Sequence, residues 1–343
     1  FKFTPDLTWI KIRTGFTYDH NLYDTVRGAD GQSGTRDKVL STNKTNAQEQ
    51  GNGDVTILTN SVKLVETNTG SSGQEVNKDG QDFVCWNFKA GGAPSADNTG
   101  GSSPTADSIM VDGSAYTTSL TGSIFPKRAT ANTAAGFSIL SYDGTGASNG
   151  SIKHFLTAAP ELYIWKRLNT SSGWSVAGSG INNYQGYMEL NDTADINVDT
   201  DMQAPTSDVI NFNASTASYN GSGQEWLLYV FHSVGGYQRI SSYQGNSSEY
   251  GPIIYTDSNG DGTGTDGFEP AFVMVKCTDF GSGTDWAIFD NKRNPNNKRR
   301  LYLYANSDAT DGNANTLEMN FYSNGFQPIG SDGTHNASGK TYI

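Results

Sequence analysis

The chain is short of most of what chemistry at a single site needs. Its four histidines, His20, His154, His232 and His335, stand in unrelated surroundings, without a metal-ligand spacing such as H-x-x-x-H. There is no P-loop, and no G-x-G-x-x-G set between a strand and a helix. Cysteine occurs twice, as Cys85 and Cys277, in non-equivalent contexts. Both are expected as buried free thiols, which fits folding in a reducing cytoplasm. Positive charge is also scarce: 23 Lys and Arg face 35 Asp and Glu, a net charge of −12. That leaves no field to attract phosphates, and excludes duplex nucleic acid as a natural partner. No apolar run approaches the roughly 18–20 residues of a transmembrane helix, so membrane insertion is not expected. No window holds an uninterrupted 3.6-residue apolar period either, which argues against long helices.

What is present is turn vocabulary. Glycine accounts for 40 of 343 residues, and Asn, Ser, Thr and Asp are abundant. Between the turns lie short apolar and aromatic runs, among them 83–88, 137–140, 162–165, 226–231, 271–275, 301–304 and 317–322, which read as strands.

Three stretches repeat. Pro5, Pro160 and Pro270 are each followed six residues later by a lysine, Lys11, Lys166 and Lys276, across an apolar-aromatic run. A second block reads Asp19-His20 to Asp24 and Arg27 in copy one, and Asp285-Trp286 to Asp290 and Arg293 in copy three. Copy two keeps only the aromatic, Trp174. A third block closes on Asn43, Asn191 and Asn306, and a fourth is an N-x-x-G turn before Phe83, Trp226 and Tyr342. Copies two and three also open alike, at Gly136-Phe137 and Gly236-Tyr237. A period of roughly 100–150 residues exceeds that of solenoid repeats, so each copy approaches a small domain.

The expected fold is all-β, with tandem antiparallel β-sandwich modules of jelly-roll or lectin-like type and internal repeats. Copy one spans 1–92, a Gly/Ser/Thr-rich linker with one strand pair near 109–111 spans 93–135, copy two spans 136–235 and copy three spans 236–343. Copy one lacks the opening strand, and copy three stops where the others run on. The chain is therefore expected to be a piece of a longer polypeptide.

Some features belong to one copy. Asp257, Asn259 and Asp261, with Asp266, match the first half of a D-x-[DN]-x-D-G calcium loop, in which alternate oxygens point at one centre. Phe268 stands where the closing bidentate Glu belongs, and a metal-free turn is the competing reading. The run from Lys292 to Arg300 is a basic island, read either as a contact for an acidic glycan or protein surface or as a solvated hairpin loop. Asp24/Arg27 and Asp290/Arg293 are expected as a shared structural ion pair or turn bond at a strand end, because a copied residue serves the fold of its module. Tyr184, Tyr187, Tyr219, Tyr243 and Tyr250, in loops rich in Asn, Gln and Ser, are expected as exposed rings able to stack on sugars or on a neighbouring subunit.

Pro5-Asp-Leu-Thr-Trp-Ile-Lys11, Leu22-Tyr-Asp-Thr-Val-Arg-Gly28, Phe83-Val-Cys-Trp-Asn-Phe-Lys-Ala-Gly-Gly92, Phe268-Glu-Pro-Ala-Phe-Val-Met-Val-Lys276, Asp285-Trp-Ala-Ile-Phe-Asp-Asn-Lys-Arg293 and Ser323-Asn-Gly-Phe326 carry a resemblance. They resemble a repeat domain of tailed bacteriophages, common in marine and cyanobacterial phages and found beside laminin-G-like domains in virion proteins. The resemblance covers almost the whole chain, with copy two departing around 176–187. It implies a non-enzymatic virion structural protein, a tail fibre, spike or surface appendage contributing to host attachment. It brings no catalytic residues. The implied partners are other virion proteins, a homo-oligomer such as a trimer, and a host-surface glycan, with the virion assembled in the host cytoplasm. A capsid-decorating or tail-scaffold protein without a ligand and a polysaccharide depolymerase are the alternatives.

Overall fold

A computed structural model describes residues 2–28, 38–50, 54–65, 75–213 and 217–343. The chain is all-β, 37% strand and 2% helix, in several sheets consistent with sandwich packing. Among the described residues the one α-helical element is the four-residue turn Ala217–Asn220. No helix among the described residues is long and apolar enough to cross a membrane.

The three lysine-bearing strands are Leu7–Ile12, Leu162–Arg167 and Phe272–Val275, the last running directly into Lys276. Each pairs antiparallel with the strand that follows the His20, Trp174 or Trp286 position, in the same register: Leu7↔Asp24, Leu162↔Gly178 and Phe272↔Asp290. The third block adds the next strand equivalently, through Leu22↔Leu40, Val176↔Met188 and Ile288↔Leu303. On the other side lies the closing strand, where Lys11 faces Val84, Lys166 faces Leu227, and Lys276 exchanges backbone bonds with Ile343. Sequence blocks aligned by spacing alone therefore occupy matching places in the sheets.

Side chains alternate across each strand, so each copy's sheet has two apolar faces to cover. One set of faces meets in a shared core: Leu7, Trp9 and Trp86 of copy one, Ile164, Trp174 and Tyr229 of copy two, and Trp286, Ile288 and Leu303 of copy three. The opposite faces feed separate cores. Ile10 and Tyr23 pack with Val55 and Ile57 in copy one; Trp165 and Leu228 with Ile152 and Phe212 in copy two; Val273 and Phe289 with Met319 and Phe321 in copy three. Each copy is thus one layer of the common core and one side of its own outer core.

The segment read as a linker is packed into copy two. Its expected strand pair forms between Ile109–Val111 and Ser114–Ala115. Arg128–Asn132 then joins Ile109–Val111 to the opening strand Phe137–Asp143, making one nine-stranded sheet. Ile109, Leu120 and Ile124 are buried in copy two's outer core. Small and polar residues between them conceal three apolar anchors, and the anchors decide where the segment goes.

Candidate functional site

Because the repeated residues meet around the shared core, their polar contacts can be followed from copy to copy. Lys11 Nζ donates to the Asp308 carbonyl of copy three at 3.0 Å, Lys166 Nζ to the Thr45 carbonyl of copy one at 3.2 Å, and Lys276 Nζ to the Thr193 carbonyl of copy two at 3.1 Å. Each acceptor lies two residues beyond the block-closing asparagine. Those asparagines accept from the backbone N–H of His20, Trp174 and Trp286 at 2.7–3.0 Å. The three rings in turn reach the preceding copy: His20 Nε2 to the Tyr304 carbonyl, Trp174 Nε1 to that of Ser41 and Trp286 Nε1 to that of Glu189. His20 Nδ1 accepts from Trp9 Nε1 at 2.8 Å, so its proton sits on Nε2. Burial keeps the ring neutral, with its pKa well below the ordinary value. The contacts run one to three, three to two and two to one. They close a ring.

The D-x-x-R pairs belong to this ring. Arg27 Nε meets Asp24 and Arg293 Nε meets Asp290, both at 2.6 Å, with the guanidinium also donating to the carbonyls of Leu22 and Ile288 at 2.9 Å. All four side chains are buried. Tyr229 Oη of copy two donates to Asp24 at 2.8 Å, and Trp86 Nε1 of copy one to Asp290 at 3.1 Å. Burial works against the Asp290 carboxylate, yet the Arg293 charge and hydrogen bonds hold its pKa below the ordinary value. These are structural ion pairs, as their duplication implies. Copy two carries Gly178 and Ile181 in their place, so the junction of copy three with copy two keeps the Lys276 and Trp286 contacts but has no such ion pair.

That junction holds the candidate site, a cleft of about 560 Å³ lined by Glu161, Ser179, Tyr184, His232, Gln238, Arg239 and Ser258, among others. Glu161 accepts from the Ser233 N–H, as Asp6 accepts from the equivalent Ala90 N–H, and so has a scaffold role. His232 Nδ1 donates to the Ser233 carbonyl at 2.7 Å, leaving Nε2 a buried acceptor with no partner. Arg239 donates to the Ser258 carbonyl through Nη1, while its buried Nε–H has no partner. Both atoms are themselves buried, while the Ser179 and Ser258 side chains in the same wall are exposed. Tyr237, largely exposed, stands beside Gln238 in the same turn. Sequence gave no sign of this cleft, since its residues have no shared spacing.

The loop read as calcium-binding is held by its own amides. Asp257 is buried; its Oδ1 accepts from the N–H groups of Gly260 and Gly262, and its Oδ2 from that of Gly264 at 2.6 Å. Asp266 binds the N–H and hydroxyl of Ser258. Asp261 and Asn259 both turn to Thr263 instead. Among the described residues no three His, Cys, Asp or Glu are gathered as a metal would require. The four residues therefore do not fit a preformed calcium centre. Calorimetric titration with calcium is expected to give no heat of binding and no shift of the melting temperature.

Four of the five cations of the basic island are paired within the molecule. Arg293 meets Asp290 and Asp311, Arg299 meets Glu269 and lies 4.2 Å from the Phe321 ring centroid, and Arg300 meets the buried Glu318 at 2.9 Å. Lys298 lies within salt-bridge distance of Glu249 and Glu318. Two of the five aromatics expected at the surface are core residues: Tyr184 is 8% exposed and Tyr219 2%. Their hydroxyls reach the Pro160 carbonyl and Asp199. Tyr187 and Tyr243 are half-buried, and Tyr243 stacks on Tyr342 at 5.0 Å. Tyr250 is exposed, with Lys298 5.5 Å from its ring centroid. Cys85 and Cys277 are free, and burial pushes the Cys85 thiol up to about 11.

The chain belongs to the family described as a domain of unknown function, DUF7483, which matches it over residues 1–113 and again over 109–343. No curated protein and no solved structure matches the chain.

Proposed function

We propose that this chain is a non-enzymatic structural component of a tailed-bacteriophage virion, a tail fibre, spike or surface appendage that contributes to host-surface attachment. In this reading its copies are jelly-roll or lectin-like modules. They are locked into a rigid body that associates with other virion proteins as a homo-oligomer. The observation that carries it is the closed ring of contacts. Residues repeated in all three copies are spent on holding the copies together, and the buried ion pair that supports two junctions is missing at the third, where a ligand-sized cleft opens.

The ligand this cleft suits is a host-surface saccharide. Its wall presents the exposed Ser179 and Ser258 and the partly exposed Gln238 and Arg239, beside an exposed tyrosine. Polar groups of this kind fix a hydroxylated ligand, and aromatic faces stack on its apolar side. A glycan array on the intact protein is expected to return hits that fall at least tenfold in affinity, about 1.4 kcal/mol, on Arg239→Ala. Tyr237→Ala is expected to weaken the same hits. An array without hits, with the protein placed stoichiometrically on capsids by electron microscopy, would instead favour a decorating or scaffold role.

A further inference from the structure

The three junctions share a plan but not a chemistry. At each, one aromatic side chain, His20, Trp174 or Trp286, reaches a backbone carbonyl of the neighbouring copy through a ring N–H. An indole N–H is a donor and nothing else, so the two tryptophan junctions have no group at this place to titrate. His20 stands where copy one meets copy three. Histidine is the side chain whose ordinary charge change falls between about pH 5 and 8.

Both imidazole nitrogens are already committed. His20 is fully buried, and Nε2 donates to the Tyr304 carbonyl of copy three at 3.0 Å. Nδ1 accepts from Trp9 Nε1 at 2.8 Å. A second proton can go only on Nδ1, where it would point at the indole N–H, a group with no acceptor to offer. The neutral imidazole fits this site and the imidazolium does not.

The surroundings reinforce that. Burial is the strongest obstacle to an imidazolium, and Lys11, on the strand that carries Trp9, and Arg293 of copy three add charge of the same sign. Hydrogen bonds to the Tyr304 and Ser307 backbone offset only part of this. The nearby carboxylates are held elsewhere. Asp19 accepts from Asn43 at 2.6 Å and lies 3.4 Å from Lys44, Asp290 and Asp311 both bind Arg293, and Asp308 acts on Lys11. The imidazoles of His154, His232 and His335 bond within their own copies.

We propose that the junction between copy one and copy three is an acid-opened seam with His20 as its trigger, while the two tryptophan junctions stay closed over the same range. Opening releases Nδ1 from the indole and brings the imidazole to water, where it takes up one proton. Below the ordinary histidine value the open form therefore binds more protons than the closed form. Acid favours opening, about tenfold for each pH unit below about 6.5. The faces that part are those through which Trp9 and Trp86 of copy one meet Phe272 of copy three, at 6.4 and 5.5 Å between ring centroids.

Each junction carries an equivalent backbone bond that reports its closure. The Asp311 N–H meets the Arg13 carbonyl at 3.1 Å between copies three and one, Gln48 meets Leu168 at 2.8 Å between copies one and two, and Ile196 meets Thr278 at 3.2 Å between copies two and three. Hydrogen exchange on the whole chain from about pH 8 to 5, corrected for the intrinsic exchange rate, reads all three. Protection at Asp311 is expected to fall about tenfold per pH unit below about 6.5, with Gln48 and Ile196 unchanged. His20→Gln, whose amide offers an acceptor and a donor without titrating, is expected to hold Asp311 protection constant with pH. A parallel fall at all three amides, or none at Asp311, would overturn the proposal in the unmodified chain alone. The same fall at Asp311 in His20→Gln would overturn it too.

Discussion

Asp24→Ala is expected to lower the unfolding free energy by about 3–5 kcal/mol, the scale for breaking a buried ion pair from one side. The carboxylate is fully buried and has three partners: Arg27 Nε at 2.6 Å, the Arg27 N–H at 2.9 Å and Tyr229 Oη at 2.8 Å. Burial works against the Arg27 charge and Asp24 holds its pKa above the ordinary value; because arginine is not deprotonated in proteins, removing Asp24 leaves a buried charge without its partner. Copy two supplies the control, because Gly178 and Ile181 occupy the equivalent places without a pair. Asp24→Gly with Arg27→Ile and Tyr229→Phe is therefore expected to recover most of the loss. Urea denaturation of the single and triple variants measures both. Equal destabilisation by the two would show that the pair is not the cause.

The second large effect is a rise in stability with pH. Burial lowers the pKa of Lys11 to about 8, with Asp308, Asp19 and Asp311 opposing part of the shift. Burial likewise lowers Lys166 to about 8, aided by Arg167 and opposed by Glu189, and Lys276 moves in the same direction. The unfolded chain holds these protons up to the ordinary lysine value, so between about pH 8 and 10.5 it binds more protons than the folded chain. Stability then increases with pH across that window, on the order of 3 kcal/mol at most for each of Lys11 and Lys166. The upper limit comes from tyrosine. Burial raises Tyr142, Tyr163 and Tyr229, so the unfolded chain loses phenolic protons first above pH 10 and stability falls again. Chemical denaturation from pH 7 to 11 is expected to show a maximum near pH 10, with a shallower rise in Lys11→Met. A stability flat from pH 7 to 10 would remove the lysines as its source.

The repeat blocks were legible because spacing along the chain fixes register in a sheet, and the same spacing yields Leu7↔Asp24 and Phe272↔Asp290. The demotion of Asp24/Arg27 and Asp290/Arg293 to scaffold followed from duplication alone. The direction of the ring was not legible: nothing in spacing says that Lys11 seeks copy three while Lys166 seeks copy one. The basic island misled because its counter-charges, Glu249, Glu269 and Glu318, lie 18 or more residues away. Tyr184 misled because its neighbours Asn182, Asn183 and Gln185 are exposed while the ring itself is buried, and Tyr219 because the asparagine beside it, Asn220, is buried with it. The cleft has no sequence signature, since His232 and Arg239 are unmatched only in the folded chain.

The bond from Lys11 to the Asp308 carbonyl spans 297 residues. Loop length adds little to its equilibrium cost, which grows only logarithmically. In time it costs more. At about 5–20 residues per second the ribosome needs roughly 15–60 s to reach Asp308 once Lys11 is made. Through that interval Trp9 and Trp86, and the Lys11 ammonium, wait for a copy that does not yet exist. The first copy is finished by the third, so its maturation is set by the arrival of copy three rather than by the speed of its local hairpins.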